Sequence, residues 1–184
     1  MIDPLNLIAA VGDKEEENEG EEEKKEDELN VKGDKPEMKF LFRFDGKSVL
    51  EGKKYIVHCM DWNPYNKDLL AAAYGDPDID SKNPGFLLFW TLKNPLNPER
   101  VIQTNRGITS CHFSTKNPYY IVCSDYAGEI SIYDLRSSSN KPIADSTDVK
   151  DKHTDIVWEV KFVERPNDKN EMIVSISSDG KVNI

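Results

Sequence analysis

The hexapeptide VWEVKF, residues 157–162, begins with a β-branched residue, has an apolar residue three positions later and ends on an aromatic residue. The same pattern occurs without a gap in VHCMDW, residues 57–62, and in ITSCHF, residues 108–113. Short runs of this kind are typical of β-strands. Because the closing aromatic residues Trp62, Phe113 and Phe162 recur at intervals of 51 and 49 residues, the sequence predicts a repeated β-unit.

Each unit continues with two further apolar runs. The second runs are LLAAAYG from residue 69, YIVCSD from residue 120 and MIVSISSD from residue 172; the third runs are GFLLFW from residue 85, GEISIY from residue 128 and GKVNI from residue 180. In the first two units an aromatic residue, Trp90 or Tyr133, stands five positions after the glycine that opens the third run. The same count in the third unit reaches position 185, so we expect a fragment whose last unit is incomplete.

An acidic segment precedes these units. Residues 15–28 contain ten acidic residues and two lysines, a net charge of −8 out of −10 for the whole chain. A segment with dense like charge and without aromatic residues cannot bury enough apolar surface to offset the entropy of ordering. We therefore expect residues 1–37 to be a disordered acidic N-terminal arm, which serves either as a solvated linker or as a tether for a basic partner.

Composition argues against several functional classes. The remaining chain is nearly neutral and has no arginine-rich or aromatic-interleaved stripe, so we expect no nucleic-acid binding. No apolar run approaches the roughly 18 residues of a membrane span, so we expect no membrane insertion. The cysteines Cys59, Cys111 and Cys123 lie in apolar runs without CxxC spacing, which favours a reduced intracellular protein over a disulfide framework.

Two short segments resemble ligand-binding loops but lack residues that those loops require. Gly46-Lys47-Ser48 ends like a phosphate-binding loop, but Leu41 stands where that loop needs its first glycine. The run from Asp76 to Asp80 begins like a calcium loop, but serine replaces its turn glycine and leucine its final glutamate. We interpret both as surface loops, and we expect no cofactor and no metal.

The third unit, KHTDIVWEVKF followed by Ser178-Asp179-Gly180, resembles a WD-repeat blade, and IYDLR in the second unit resembles the Trp-Asp ending with Tyr133 in place of tryptophan. The resemblance implies an all-β fold, a partial WD-repeat β-propeller at residues 38–184. Its roughly three blades would be residues 55–104, 105–150 and 151–184, the last of them incomplete. The resemblance also implies that His153 and Asp179 form a buried hydrogen-bonded pair that fixes a turn.

We assign structural blade positions, and no catalytic role, to a set of residues that includes this pair: His153, Asp179, Asp125, Trp62, Phe113, Phe162, Trp90 and Tyr133. The competing hypothesis, an enzyme that uses His153 with Asp179 or Asp155, has no other support in the sequence.

Five longer segments carry a more specific resemblance: WNPYNKDLLAAAYG, LKNPLNPERV, GEISIYDLR, KHTDIVWEVKF and VSISSDGKV. Together they resemble the WD-repeat region of axonemal dynein intermediate chains, over about residues 40–184, and both inner-arm and outer-arm members of that family fit. The resemblance implies a non-catalytic scaffold of a dynein arm in the ciliary axoneme, made in the cytoplasm. Its partners would be a dynein heavy chain, other intermediate and light chains and, through the assembled arm, the doublet microtubule. The alternative is a WD-repeat adaptor of another complex, of the transport or ubiquitin-ligase type.

Overall fold

The computed structural model describes residues 38–165 and 170–184, so the expected disordered arm at residues 1–37 lies outside the described residues. The elements in chain order are α1 (Lys47–Leu50), β1 (Ile56–Trp62), β2 (Leu69–Gly75), β3 (Gly85–Thr91), β4 (Arg100–Thr104), β5 (Ile108–Phe113), β6 (Tyr120–Asp125), β7 (Ile130–Asp134), β8 (Ala144–Asp145), β9 (Val157–Glu164), β10 (Glu171–Ser177) and β11 (Val182–Asn183). The predicted all-β class is confirmed, since one helical turn is the only helix among these residues.

The strands form three antiparallel sheets, each built from strands that follow one another in sequence. The first sheet has the order β1-β2-β3-β4, the second β5-β6-β7-β8 and the third β9-β10-β11. Strand β5 lies against both β1 and β9, so the first strands of the three sheets are neighbours. This arrangement is consistent with a partial WD-repeat β-propeller, in which each sheet is a blade and its first strand is innermost.

The registers align the three repeats. Trp62 lies opposite Leu70, which lies opposite Trp90. In the second sheet Phe113, Ile121 and Tyr133 are aligned in the same way. Phe162 of the third sheet lies opposite Ile173. Equivalent residues of the repeats therefore occupy equivalent rungs of their ladders.

Strand β2 is buried on both faces, which explains its continuous apolar run. Successive side chains of a strand point to opposite faces. Ala71 and Ala73 join a core cluster shared with the second sheet, while Leu70, Ala72 and Tyr74 join another on the opposite face. The second cluster is closed by the segment that carries α1, through Leu50, Phe44 and Tyr55.

The Gly46-Lys47-Ser48 motif lies at the start of α1. Asp45 Oδ1 accepts a hydrogen bond from the backbone N–H of Lys47, and α1 ends at Leu50, whose buried side chain contacts the first sheet. The motif thus begins a single helical turn that anchors this segment on the core.

Candidate functional site

His153 and Asp179 lie in hydrogen-bonding contact. His153 precedes β9 and Asp179 lies in the turn between β10 and β11. The Nδ1 atom of His153 is 3.1 Å from Asp179 Oδ2 and 3.2 Å from Oδ1. The carboxylate also accepts hydrogen bonds from the backbone N–H groups of Thr154 and Lys181. It therefore connects the segment before β9 to the turn after β10.

The protonation states of this pair follow from its neighbours. Burial by itself raises the pKa of Asp179, but the backbone N–H groups of Lys181 and Thr154 and the His153 ring outweigh it and lower the pKa to about 2. The carboxylate is therefore ionised at neutral pH, and the Nδ1 atom of His153 must carry the hydrogen that it donates.

Ser175 is a third member of this cluster, and the sequence analysis did not identify it. Its Oγ is 2.9 Å from His153 Nε2. While Nδ1 donates to Asp179, the other ring nitrogen, Nε2, shares a hydrogen bond with the Ser175 hydroxyl. A signal for Ser175 was present: alternation along β10 places it on the same face as Ile173, and a buried hydroxyl requires a partner.

A serine, a histidine and an aspartate linked in this order also occur in hydrolases. Here the serine is 2% exposed and the histidine 1% exposed, so both are enclosed by the surrounding strands. A cleft of about 300 Å³ between the second and third sheets borders both residues, and its lining includes the aliphatic side chains Ile130, Ile132 and Ile173. What the cluster can do chemically is join three segments through satisfied, buried hydrogen bonds.

Asp125 has a different environment from Asp179. Its Oδ1 accepts hydrogen bonds from the backbone N–H groups of Ala127 and Glu129, each at 2.9 Å, within the turn between β6 and β7. By strand register it corresponds to Ser177, whose Oγ accepts from the N–H of Asp179. Burial raises the pKa of Asp125 to about 6, and the charge of Glu129 acts in the same direction; the two backbone N–H groups and the charge of Arg106 offset this only in part.

The aromatic blade positions share rungs but differ in burial. Phe113 and Trp90 are fully buried and Tyr133 nearly so, whereas Trp62 is 42% exposed and Phe162 is half-buried. Phe113 packs against Phe89 of the first sheet, with ring centroids 6.4 Å apart. A residue in the first strand is therefore buried only where a neighbouring sheet covers its face.

Side-chain donors and main-chain acceptors join the first sheet to the second. Asn63 Nδ2 donates to the carbonyl of Pro118 at 2.8 Å, and the Tyr65 hydroxyl donates to the carbonyl of Thr115 at 2.7 Å. At the other end of the interface, the Tyr126 hydroxyl of the second sheet donates to the carbonyl of Asp76 at 2.9 Å. No local sequence pattern indicates these contacts, because their partners are about 50 residues apart in the chain.

Glu171 performs the corresponding function between the second and third sheets. Its Oε1 accepts from the backbone N–H of Thr115 at 2.7 Å, from the Thr115 hydroxyl at 2.6 Å and from the N–H of Lys116 at 3.2 Å. Its Oε2 accepts from the buried hydroxyl of Ser114. These bonds outweigh the effect of burial, so the pKa of Glu171 is lowered.

The remaining histidines do not form a repeated site. His58 Nε2 is 2.5 Å from the Tyr126 hydroxyl, at the interface of the first two sheets. His112 Nε2 is 3.9 Å from Asp61 Oδ2. Across the described ranges, 38–165 and 170–184, no group of three or more His, Cys, Asp or Glu side chains is arranged to hold a metal ion.

The run from Asp76 to Asp80 is organised by its own hydrogen bonds. Asp76 Oδ1 accepts from the backbone N–H of Asp78, and Oδ2 accepts from the Ser81 hydroxyl and the Asn83 amide. The carboxylate oxygens of Asp76 are therefore directed into the loop. In the part of the chain that is described, no helix has the length and apolarity to cross a membrane.

Comparison with known proteins adds sequence relatives to this geometry. No protein-family model matches the chain. Dynein axonemal intermediate chain 4 from Danio rerio is 39% identical over 130 residues, which cover 68% of this chain and 17% of the relative. The Homo sapiens protein of the same name is 37% identical over 131 residues, covering 68% of this chain and 15% of the relative. Dynein axonemal intermediate chain 1 from Mus musculus is 36% identical over 132 residues, covering 72% and 19%. The chain thus spans less than a fifth of the length of these curated relatives.

Proposed function

The chain belongs to the axonemal dynein intermediate-chain family, and from this premise we propose that it is a non-catalytic scaffold of an axonemal dynein arm. The observation that carries the proposal is the similarity to intermediate chains 4 and 1 over about 70% of the chain. That similarity covers a region in which the described side chains hold β-sheets together, which is the requirement for a rigid scaffold.

The contacts between the sheets support this role. Hydrogen bonds from Asn63 and Tyr65 fix the second sheet on the first, and the bonds to Glu171 fix the third on the second. A scaffold must keep its binding loops at constant separation while force acts on its partners. Directional bonds between sheets restrict sliding in a way that apolar packing alone does not.

We propose that the partners are a dynein heavy chain and the other intermediate and light chains, and that the doublet microtubule is reached through the assembled arm. The protein then functions in the ciliary axoneme after assembly in the cytoplasm. The identities to intermediate chain 4, 39% and 37%, slightly exceed the 36% to intermediate chain 1, which favours the inner-arm type, with the outer-arm type as the alternative.

At the level of single blades we propose that residues 55–104, 105–150 and 151–184 each correspond to one blade. The sheet boundaries at Thr104 and Asp145 support these limits. Within the third blade, the contacts of His153 with Asp179 and Ser175 support a role in fixing the turn between its second and third strands.

The test is affinity purification of the tagged protein from ciliated cells, followed by mass spectrometry. Recovery of axonemal dynein heavy, intermediate and light chains is the expected result. Recovery of a transport complex or a ubiquitin ligase without dynein chains would replace the scaffold assignment with an adaptor role in that complex. A variant that carries His112→Ala, a change distant from the proposed turn-fixing cluster, serves as the control for purification of a folded protein.

A further inference from the structure

The three cysteines of the chain lie together at the interface of the first and second sheets. Cys111 on β5 lies directly opposite Cys123 on β6. Both are buried in the core cluster shared by the two sheets, and Cys59 of β1 packs against that cluster. Cys59 is half-buried, so it is the thiol through which solvent reaches the group.

Cys59 projects from the first sheet onto Cys111. Its Sγ is 3.5 Å from the carbonyl oxygen of Cys111. The repeat places Ser110 at the equivalent position of the second sheet, and its Oγ is 3.4 Å from the backbone N of Val160 in the third sheet. Val160 is the repeat equivalent of Cys111. The contact between these equivalent positions is therefore made by two cysteines between the first and second sheets, and by a serine and a valine between the second and third.

The surroundings of Cys59 favour its thiolate. A hydrogen bond from the Cys111 thiol, opposed by burial and aided by the Cys111 backbone N–H and by Ser110, lowers the pKa of Cys59 to about 6. The carboxylate of Asp61 acts in the opposite direction, and the ammonium group of Lys161 lies near enough to be influenced by the Cys59 charge. The same contact with Cys59 raises the pKa of Cys111, so Cys111 remains a protonated thiol beside a reactive one.

We propose that Cys59 is a site of reversible oxidation by hydroperoxides, with Cys111 as the resolving thiol, and that the product is a disulfide joining β1 to β5. The thiolate is the nucleophile in such reactions, and a low-pKa cysteine beside a second thiol is the arrangement that they require.

The reaction has two balanced steps. The Cys59 thiolate attacks one oxygen of hydrogen peroxide, the O–O bond breaks, and a sulfenic acid and hydroxide form. The Cys111 sulfur then attacks the sulfenic sulfur, the S–O bond breaks, and the S–S bond forms as water leaves with the Cys111 proton. Two thiols are oxidised by two electrons in total, and one peroxide is reduced to two molecules of water.

The sequence makes the product simple to identify. Trypsin places the three cysteines in three different peptides, residues 55–67, 107–116 and 117–136. The full chain is treated with hydrogen peroxide, alkylated under denaturing conditions and digested. We expect one crosslink between peptides 55–67 and 107–116, a fall in free thiols from three to one, and recovery of all three with dithiothreitol.

Variants separate the two steps. Cys123→Ala should keep the crosslink, whereas Cys111→Ala should leave a sulfenic acid on Cys59 that dimedone captures. If a variant fails to fold, the crosslinked peptides of the peroxide-treated chain without substitutions still test the proposal. A crosslink between peptides 107–116 and 117–136, or a Cys59 that stays fully alkylatable after peroxide treatment, would overturn the proposal.

Discussion

At the scale of single residues, the two turn aspartates Asp125 and Asp179 have similar sequence signals but different energetic roles. His153 and Asp179 satisfy each other, and His153 also satisfies Ser175. Asp125 is buried with only backbone donors. Sequence spacing therefore identifies turn positions, but the protein environment decides whether a carboxylate there is stabilised or destabilised by folding.

The first prediction concerns His153→Ala. The substitution leaves the buried hydroxyl of Ser175 without its partner, so we expect a loss of unfolding free energy on the order of 1–3 kcal/mol. Asp179→Ala should cost less in this background than in the parent, because the bond to His153 is already lost and only those from Thr154 and Lys181 remain to be broken. Chemical denaturation of the full chain measures His153→Ala, Asp179→Ala and the double variant, and His112→Ala is the matched control. Additive losses from the two substitutions would contradict the proposed pair.

The second prediction concerns the pH dependence of stability. Because folding raises the pKa of Asp125 to about 6, its contribution is fully present below about pH 4 and is lost as pH rises through 6. Asp125→Asn keeps an oxygen for the N–H groups of Ala127 and Glu129 but cannot ionise. The variant should be more stable than the parent at pH 7, on the order of 2 kcal/mol, and should have no advantage at pH 4.

Asp179→Asn serves as a comparison, because its expected change in stability at pH 7 has the opposite sign. Folding lowers the pKa of Asp179 to about 2, so its contribution is present above pH 4 and is lost as pH falls through 2. This variant should be less stable than the parent at pH 7. Thermal unfolding of both variants between pH 3 and 7 tests the contrast, and stability changes of the same sign at pH 7 would refute it.

At the scale of secondary-structure elements, the repeats differ in how tightly the turn between their second and third strands is packed. Gly128 has a φ of +84° and Gly180 a φ of +78°, so any other residue at either position would be strained. A Cβ atom at Gly128 would also lie 2.8 Å from the carbonyl oxygens of His153 and Asp155, whereas one at Gly180 would meet no atom within 4 Å. The turn of the second sheet is thus packed directly against the third.

The third prediction compares Gly128→Ala with Gly180→Ala. Both substitutions incur the cost of a left-handed residue, about 1 kcal/mol. Only Gly128→Ala also forces the backbone of residues 153–155 away from the second sheet. We expect its melting temperature to be lower than that of Gly180→Ala by several degrees. Equal melting temperatures in differential scanning calorimetry would show that the contact is not tight in solution.

The strands could be predicted from the sequence, whereas the side-chain contacts between one sheet and the next could not. Alternation and repeat spacing placed Phe113 and Tyr133 on aligned rungs because register within a sheet follows a period of two. The contact of Asn63 with Pro118 depends on the distance between two sheets, which side-chain packing sets. The exposure of Trp62 likewise depends on whether a neighbouring sheet covers it, and no local pattern reports that.

At the scale of the whole molecule, three sheets are held in sequence by contacts that differ in kind. The first and second sheets share an apolar core cluster and several single hydrogen bonds. The second and third are connected by the four hydrogen bonds that Glu171 accepts from residues 114–116. Thr109 and Ser110 add bonds to the backbone of Val157 and Val160, so Glu171 accepts several, but not all, of the hydrogen bonds that hold the third sheet on the second.

The fourth prediction tests the contribution of Glu171. Glu171→Ala removes all of these acceptors, so the amide of Thr115 should exchange with solvent roughly tenfold faster or more, whereas that of Lys116 keeps the Ser114 hydroxyl as an acceptor. Glu164→Ala is the matched control, because Glu164 accepts one bond from the Thr115 hydroxyl. Hydrogen-exchange mass spectrometry of peptide 107–116 measures both. Equal protection in the two variants would mean that other contacts, rather than Glu171, join the sheets.

Three of the hydrogen bonds between the first two sheets have a one-sided tolerance of sequence change. Their donors are the side chains of Asn63, Tyr65 and Tyr126, and their acceptors are carbonyl groups, which every amino acid supplies. Other bonds at the interface, such as that of Asp61 with the backbone N–H of Phe113, depend on a side-chain acceptor. For the first three bonds, substitution at an acceptor position leaves the bond in place, while substitution at a donor position removes it. Loops that supply only carbonyl acceptors can therefore change their side chains without losing these bonds. Such substitutions alter the surface offered to a partner while the distance between the sheets stays the same.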